Sequence, residues 1–242
     1  MKIAVVTGAS TGIGRSISIA LASHGYFVYL LARRQEQLEQ TKKLITDQGG
    51  QSESVVADLS SLDSVNEAIA TIKNKAGSIE VLANIAGVWH GVDEVFAGKD
   101  FETFEQKVIL DTYNVGTIVP TLLAHAFIPL MKSNGKIINL SGTFENGAKG
   151  WLPYYVSKRA IEDLTVALSQ ELEDRDIQVN CISPSDTATE AYAKFFPQYM
   201  DEAINPEKIA NKVLELVDPE DKLTGKVIVM KKDKEPVEGF HS

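Results

Sequence analysis

The sequence predicts an α/β fold, a parallel, doubly wound sheet of about seven strands with helices on both faces. Three observations predict it. Short apolar runs alternate with longer amphipathic stretches along all 242 residues. Most of the short runs are nearly continuous in apolar residues, as strands covered on both faces are. A glycine-rich turn, Gly8 to Gly14, separates the first run from the first amphipathic stretch. Strands alternating with helices imply right-handed crossovers.

In order, the expected strands are Ile3–Val6, Phe27–Leu31, Ser54–Ala57, Val81–Ile85, Lys136–Leu140, Gln178–Ile182 and Lys226–Met230. Ile13, Ile17, Ala20 and Leu21 share one helical face, and Gly25 follows as a stop. Leu62, Val65, Ala68, Ile69 and Ile72 repeat that spacing after the polar Asp58-Leu59-Ser60-Ser61. A long helical region covers about 101–131, where Pro120 and Pro129 are expected to bend or break it. Another helix runs from about Tyr155 to Leu172. No linker divides the chain, so residues 1–242 read as a single domain.

Composition narrows the function. The net charge of -9 makes non-specific nucleic-acid binding an unfavourable reading. Any phosphate-bearing ligand must find a local positive patch. The one cysteine, Cys181, excludes an intrachain disulfide and reads as a small core residue in a buried strand. His24, His90, His125 and His241 form no ligand pair, so no metal site is expected. The first apolar run is too short for a leader and no stretch has the length of a membrane span, so a cytoplasmic protein without membrane partners is expected.

The glycine loop reads Thr7-Gly8-Ala9-Ser10-Thr11-Gly12-Ile13-Gly14. Glycine permits the tight turn, the approach of backbone to a pyrophosphate and close helix–strand packing. The following helix start offers free N–H groups and partial positive charge to phosphates. A glycine-rich turn without a ligand is the plain alternative.

The Thr-Gly-x-x-x-Gly-x-Gly spacing resembles the fingerprint of the short-chain dehydrogenase/reductase family. The resemblance extends nearly to the end of the chain, through Leu223 to Val229, but the usual Asp-Gly-Gly there is replaced by Lys231-Lys232-Asp233. It implies a Rossmann-type fold, a nicotinamide cofactor and a homodimer or homotetramer. It places Gly8, Ser10, Thr11, Gly12, Ile13 and Gly14 at the cofactor. An NAD enzyme carries an acid at the end of the second strand, whereas here Ala32 is followed by Arg33 and Arg34. A guanidinium fork suits a 2′-phosphate, so Arg33 favours NADP(H), with Arg15 and Arg34 as lesser contributors. The alternative is that Arg33 and Arg34 are the solvated start of a helix. Asp58 and Leu59 are placed at the adenine, though Asp58 also suits a helix cap. Asn84-Ile85-Ala86-Gly87 resembles the family's Asn-Asn-Ala-Gly and places Asn84, Ala86 and Gly87 at the adenine ribose.

Tyr154 and Lys158 form Tyr-x-x-x-Lys, which puts a phenol and an ammonium on one helix face. The positive charge favours the phenolate, so Tyr154 reads as the general acid/base and also as a cofactor contact with Lys158. The resemblance adds Asn114 as holder of a relay water, although a polar residue at a helix break is a rival reading. It also adds a serine after the fifth strand. Family members usually have Asn-x-Ser-Ser with the second serine reactive; here that position is Gly142. Ser141, thirteen residues before Tyr154, is the expected substrate-oxygen donor, and Thr143 is the substitute. Because side chains alternate along a strand, a one-residue offset reverses the hydroxyl unless the strand has ended.

Pro184 and Ser185 stand where the family has Pro-Gly, and Thr187 and Thr189 follow as hydroxyl contacts to the nicotinamide side. A positive φ at Ser185 would strain it. The segment of about 189–205, with Tyr192, Phe195 and Phe196, resembles a substrate lid, and Trp151 and Leu152 are expected in the same pocket. The reading is an NADP(H)-dependent oxidoreductase acting on a small-molecule carbonyl or alcohol. The alternative is a non-catalytic NADP(H)-binding sensor or scaffold on the same fold.

Overall fold

A computed structural model describes residues 1–91, 93–144 and 147–241. Seven strands are parallel: β1 (Lys2–Thr7), β2 (Tyr26–Ala32), β3 (Gln51–Val56), β4 (Val81–Asn84), β5 (Lys136–Leu140), β6 (Gln178–Pro184) and β7 (Lys226–Met230). The two-residue β8 (Val237–Glu238) adds an antiparallel edge to β7. It is too short and exposed to leave a sequence signal. The order β3-β2-β1-β4-β5-β6-β7-β8 reverses direction between β1 and β4, which opens a crevice at the carboxyl ends of those strands.

The continuous apolar runs follow from two buried faces. In β1, Ala4 and Val6 face one core while Ile3 and Val5 face the other. The first core packs under α1 (Gly12–Ser23) and α8 (Pro206–Leu216), through Ile17, Leu21, Ile209 and Val213. The second packs under α3 (Leu62–Lys75) and α5 (Val119–Phe127), through Val65, Ile72, Leu123 and Phe127. Helix α2 (Gln35–Asp47) precedes β3, and Ser61 rather than Asp58 is the side-chain cap of α3.

The long helical region is broken as its prolines dictate, and in an unexpected way. It comprises a short 3₁₀ turn (Phe101–Thr103), α4 (Gln106–Tyr113), a π turn (Asn114–Ile118), α5 and a 3₁₀ turn (Ile128–Leu130). Pro120 has no N–H to return to Gly116, and the chain widens there, with Val119 donating to the Asn114 carbonyl. The path Gln106–Leu130 has the length and apolarity of a membrane span, contrary to the sequence expectation. Its apolar side chains Val119, Leu123 and Phe127 are nevertheless buried in the second core. The helix α6 (Leu152–Glu171) starts three residues before the expected Tyr155, with Pro153 in its first turn. The short α7 (Glu190–Phe195) and a 3₁₀ turn (Pro197–Glu202) lie between β6 and α8.

Candidate active site

Two cavities open at the carboxyl ends of the strands. One, of about 550 Å³, runs from the Gly8–Gly14 loop past Arg33, Arg34, Asp58 and Leu59 to Ala86 and Gly87. The other, of about 470 Å³, is bounded by Tyr154, Lys158, Gly142, Thr143, Pro184, Ser185, Thr187 and an aromatic wall. They share Ile13, Ile85, Gly87, Leu140 and Thr189, so they form one bent cleft.

The first cavity requires its glycines. Gly8 has φ +69, and a Cβ there would lie 3.1 Å from the Ala86 backbone. A Cβ on Gly14 would lie 2.2 Å from the Gly8 carbonyl. Thr7 fixes the far lip, accepting bonds from Ile85 N–H at 2.9 Å and Ala86 N–H at 3.1 Å. Arg33 and Arg34 are exposed on the cavity rim and form no ion pair among the described residues. Asp58 accepts from the Ser60 N–H and hydroxyl, and those two bonds hold its carboxyl below the usual range. This open cleft, shaped by the glycine backbone and rimmed by Arg33 and Arg34, fits an extended dinucleotide with an extra phosphate.

Two of the expected cofactor side chains have partners within the protein. Asn84 is buried in the sheet and donates to Asn139 Oδ1 at 2.9 Å, so its amide does not reach the cavity. Asn139 in turn donates to Thr165, making a ladder from β4 through β5 to α6. Arg15 does not join Arg33 and Arg34 on the rim: it donates to the Ser10 carbonyl at 2.6 Å and pairs at 2.7 Å with Glu190, which reaches the glycine loop.

In the second cavity the helix α6 carries both predicted chemical groups. Lys158 Nζ donates to the Leu140 carbonyl at 2.8 Å and lies 5.3 Å from the centre of the Tyr154 ring. Burial lowers the ammonium to about 8. Tyr154 behaves differently from the expectation. Burial, with the Asp186 carboxylate as a second cause, pushes its phenol up, because desolvation outweighs the cation nearby. Without cofactor, Tyr154 therefore keeps its phenolic proton.

Ser141 lines the second cavity as expected, but its hydroxyl is engaged with helix α6. Ser141 N–H donates to the Ile182 carbonyl at 2.8 Å and Thr143 N–H to the Pro184 carbonyl at 3.2 Å, so pairing with β6 runs past the end of β5. Asn139 and Ser141 both point to α6, and the Ser141 hydroxyl is spent on Glu162 Oε1 at 2.5 Å and the Lys158 carbonyl at 3.1 Å. Glu162 is fully buried and also accepts from Arg159 at 2.9 Å, while Arg159 donates to the Gly142 carbonyl at 3.1 Å. Helix α6 thus pins three successive residues of the strand end. Gly142 faces the cavity: a Cβ there would meet the Tyr154 hydroxyl at 3.7 Å. Thr143 borders the cavity too, with its hydroxyl unpartnered among the described residues.

Asn114 begins the π turn and makes no direct hydrogen bond to Lys158. That turn nevertheless presses on α6, since a Cβ on Gly116 would lie 2.9 Å from Ser157 Cβ. Ser185 takes the place of glycine without strain, because its φ is not positive. Thr187 donates to the Ser185 carbonyl at 3.0 Å, and Thr189 caps α7 by accepting from Tyr192 N–H at 3.1 Å.

Sequence reasoning missed Trp89, Phe144 and Asp186. Trp89 stacks near-parallel to Trp151 and Tyr192, with centroids at 6.4 and 5.9 Å, and joins Phe195 and Phe196. An aromatic two residues beyond Gly87 was its only signal. His90 is held neutral by burial, which lowers it to about 4. Leu152 is absent from the cavity lining and partly exposed. Cys181 is buried, and burial pushes its thiol up to about 12, which suits a core residue and not a nucleophile.

A doubly wound sheet with a glycine cradle at its crossover and a Tyr-x-x-x-Lys pair lining the adjoining cavity defines the class of nicotinamide-dependent oxidoreductases. The comparisons agree: the short chain dehydrogenase family profile matches residues 2–200, and the chain belongs to that family. A fatty acyl-CoA reductase of Acinetobacter baylyi is 31% identical over 223 residues, covering 88% of this chain and 72% of that one. A dehydrogenase/reductase structure from Sinorhizobium meliloti 1021 has a TM-score of 0.85 at 26% identity, covering 95% of this chain and 93% of that one. The angucycline C-6 ketoreductase LanV with bound NADP has a TM-score of 0.83 at 25% identity, covering 94% and 93%.

Proposed function

We propose that the protein is an NADP(H)-dependent oxidoreductase that exchanges a hydride with a carbonyl or alcohol substrate, with Tyr154 as the general acid/base. The observation that carries this reading is Tyr154 lining the second cavity, with Lys158 one helical turn away, where that cavity joins the glycine-loop cavity through Gly87 and Thr189. When bound, NADP(H) supplies or accepts the hydride. Tyr154 gives its proton to the substrate oxygen, and Lys158 holds positive charge beside the phenol. The free hydroxyl of Thr143 takes the donor role that Ser141 cannot fill. Asn114 holds a water behind Lys158.

The cofactor lies along Gly8, Ser10, Thr11, Gly12, Ile13 and Gly14, with Ala86, Gly87, Asp58 and Leu59 around its adenosine half. Arg33 takes the 2′-phosphate. Tyr154, Lys158, Pro184, Ser185, Thr187 and Thr189 surround the nicotinamide half. The chain is one dinucleotide-binding unit whose residues 189–205 close over the substrate. The Trp89, Trp151 and Tyr192 wall favours a ring-bearing ketone, in keeping with the NADP-bound angucycline ketoreductase among the similar structures. The exposed apolar side chains Leu110, Ile118 and Val156 suit contact with a second copy, so a cytoplasmic homodimer or homotetramer is the proposed form.

The second reading, a non-catalytic NADP(H) sensor, is favoured by one observation: the serine hydroxyl is turned to Glu162 and a glycine stands beside the phenol. Oxidation of NADPH at 340 nm against a panel of cyclic and aromatic ketones decides between them. Turnover with any member supports the reductase. Tight NADPH binding with no turnover across the panel supports the sensor.

A further inference from the structure

We propose that Glu190 is a resident carboxylate in the phosphate subsite, and that NADP(H) binds by displacing it. The inference rests on the proposed cofactor reading and adds a residue that sets cofactor affinity. The Glu190 carboxylate accepts from Gly12 N–H at 3.0 Å through one oxygen and from Arg15 at 2.7 Å through the other. A helix-start N–H and a guanidinium are the donor pair that a phosphate oxygen would take.

The contact is not a local cap. Glu190 is 178 residues from Gly12 in sequence. Helix α1 lacks its own means of neutralising its positive end: Thr11 makes no side-chain cap bond and the first turn has no acid. The fold brings in an acid from beyond β6 to do so. A carboxylate and a phosphate cannot share Gly12 N–H and Arg15, since both are anions needing the same donors.

Displacement has a mechanical consequence. Glu190 is the first residue of α7, and Thr189 just before it packs on Gly12, where a Cβ would meet Thr189 Cγ2 at 2.8 Å. Helix α7 carries Tyr192, which lines the substrate cavity and stacks on Trp89. Removing the carboxylate from the phosphate loop therefore shifts the first turn of the element that walls the substrate cavity. Cofactor arrival and the shape of the substrate wall are coupled through one side chain.

The test uses the full chain, wild type and Glu190→Gln. It titrates NADPH by nicotinamide fluorescence and 2′-phospho-ADP-ribose, which lacks the nicotinamide, by tryptophan fluorescence. If the carboxylate holds the subsite about nine-tenths of the time, its removal tightens binding of both about tenfold, since apparent affinity scales with the competent fraction. Trp89 emission in the ligand-free Gln variant is then already shifted toward the wild-type bound value. Equal or weaker binding by the Gln variant overturns the proposal, because Glu190 would then be a tie that the bound state keeps. Arg15→Ala separates these further: it weakens phosphate binding if the guanidinium is handed from Glu190 to the ligand, and an unchanged affinity counts against that handover. If neither protein binds either ligand, the cofactor reading falls and this one falls with it; binding with inverted order overturns only this one.

Discussion

The two halves of the cleft obey different rules. Around the first cavity, what matters is backbone: Gly8 at positive φ against Ala86, Gly14 against the Gly8 carbonyl, Thr7 holding the end of β4. Around the second, what matters is which way side chains point: Gly142 toward Tyr154, Ser141 toward Glu162. The first half matches its family spacing closely and the second departs from it. Backbone requirements leave few permitted residues, whereas a hydroxyl can be supplied from several positions around a pocket, so chemistry tolerates more change than the cradle does.

The largest way to break this comparison is at the phenol. Tyr154→Phe is expected to lower turnover about 10³-fold while NADPH affinity stays within a few fold, because the lost group is an acid and not part of the cradle. Kinetics and fluorescence titration on the same preparation check it; a matching loss of affinity would erase the distinction between the two halves.

The hydroxyl assignments come next. Thr143→Val is expected to lower turnover about 10²-fold, the usual effect of removing one donor from a developing oxyanion. Ser141→Ala is expected to leave turnover within about threefold and to cost about 1–3 kcal/mol of stability, since it strips a bond from the buried Glu162. Denaturant unfolding and steady-state rates together read both. The reverse pattern would restore Ser141 as the donor.

The same contrast explains what the sequence disclosed. The parallel sheet, the burial of both faces of its strands and the glycine turn were legible because glycine spacing and continuous apolar runs report backbone and burial directly. Asn84 was misplaced because a motif match says nothing of a partner on the next strand, Asn139. The Ser141 orientation was within reach of strand parity. What was missing was that pairing with β6 persists past the end of β5, through Thr143. Trp89 and Asp186 join the site only through tertiary placement, and the π turn at Asn114 reflects Pro120 six residues on rather than any signal at Asn114 itself.

On the cradle side, Arg33→Ala is expected to weaken NADPH about 10- to 100-fold and NADH hardly at all, as loss of charge-assisted bonds to one phosphate would. Equal losses for the two cofactors would remove the 2′-phosphate role. On the catalytic side, pH provides a smaller and graded effect. Burial lowers Lys158 to about 8, so its ammonium is present below that pH and lost above it. Reductive turnover is expected to fall as pH rises through about 8, by up to about tenfold per unit. The profile of Lys158→Met, measured at saturating NADPH, should lack that limb.

The smallest expected effect is also the sharpest on the comparison, because it adds a group instead of removing one. Gly142 has no positive φ, and a Cβ there meets nothing nearer than the Tyr154 hydroxyl at 3.7 Å. Neither backbone nor space requires glycine, unlike Gly8 and Gly14. Gly142→Ser therefore places a second hydroxyl beside the phenol at no steric cost. With Thr143 intact, the gain is one additional hydrogen bond to the substrate oxygen, about three- to tenfold in kcat/KM. In the Thr143→Val background the gain should be larger, since the new hydroxyl then replaces a missing one. Rescue in that background with little change in NADPH affinity would show that the catalytic half lost a hydroxyl at one position and regained it at the next. No rescue would mean that the Thr143 hydroxyl does something a neighbour cannot, and that the two halves of the cleft are equally strict.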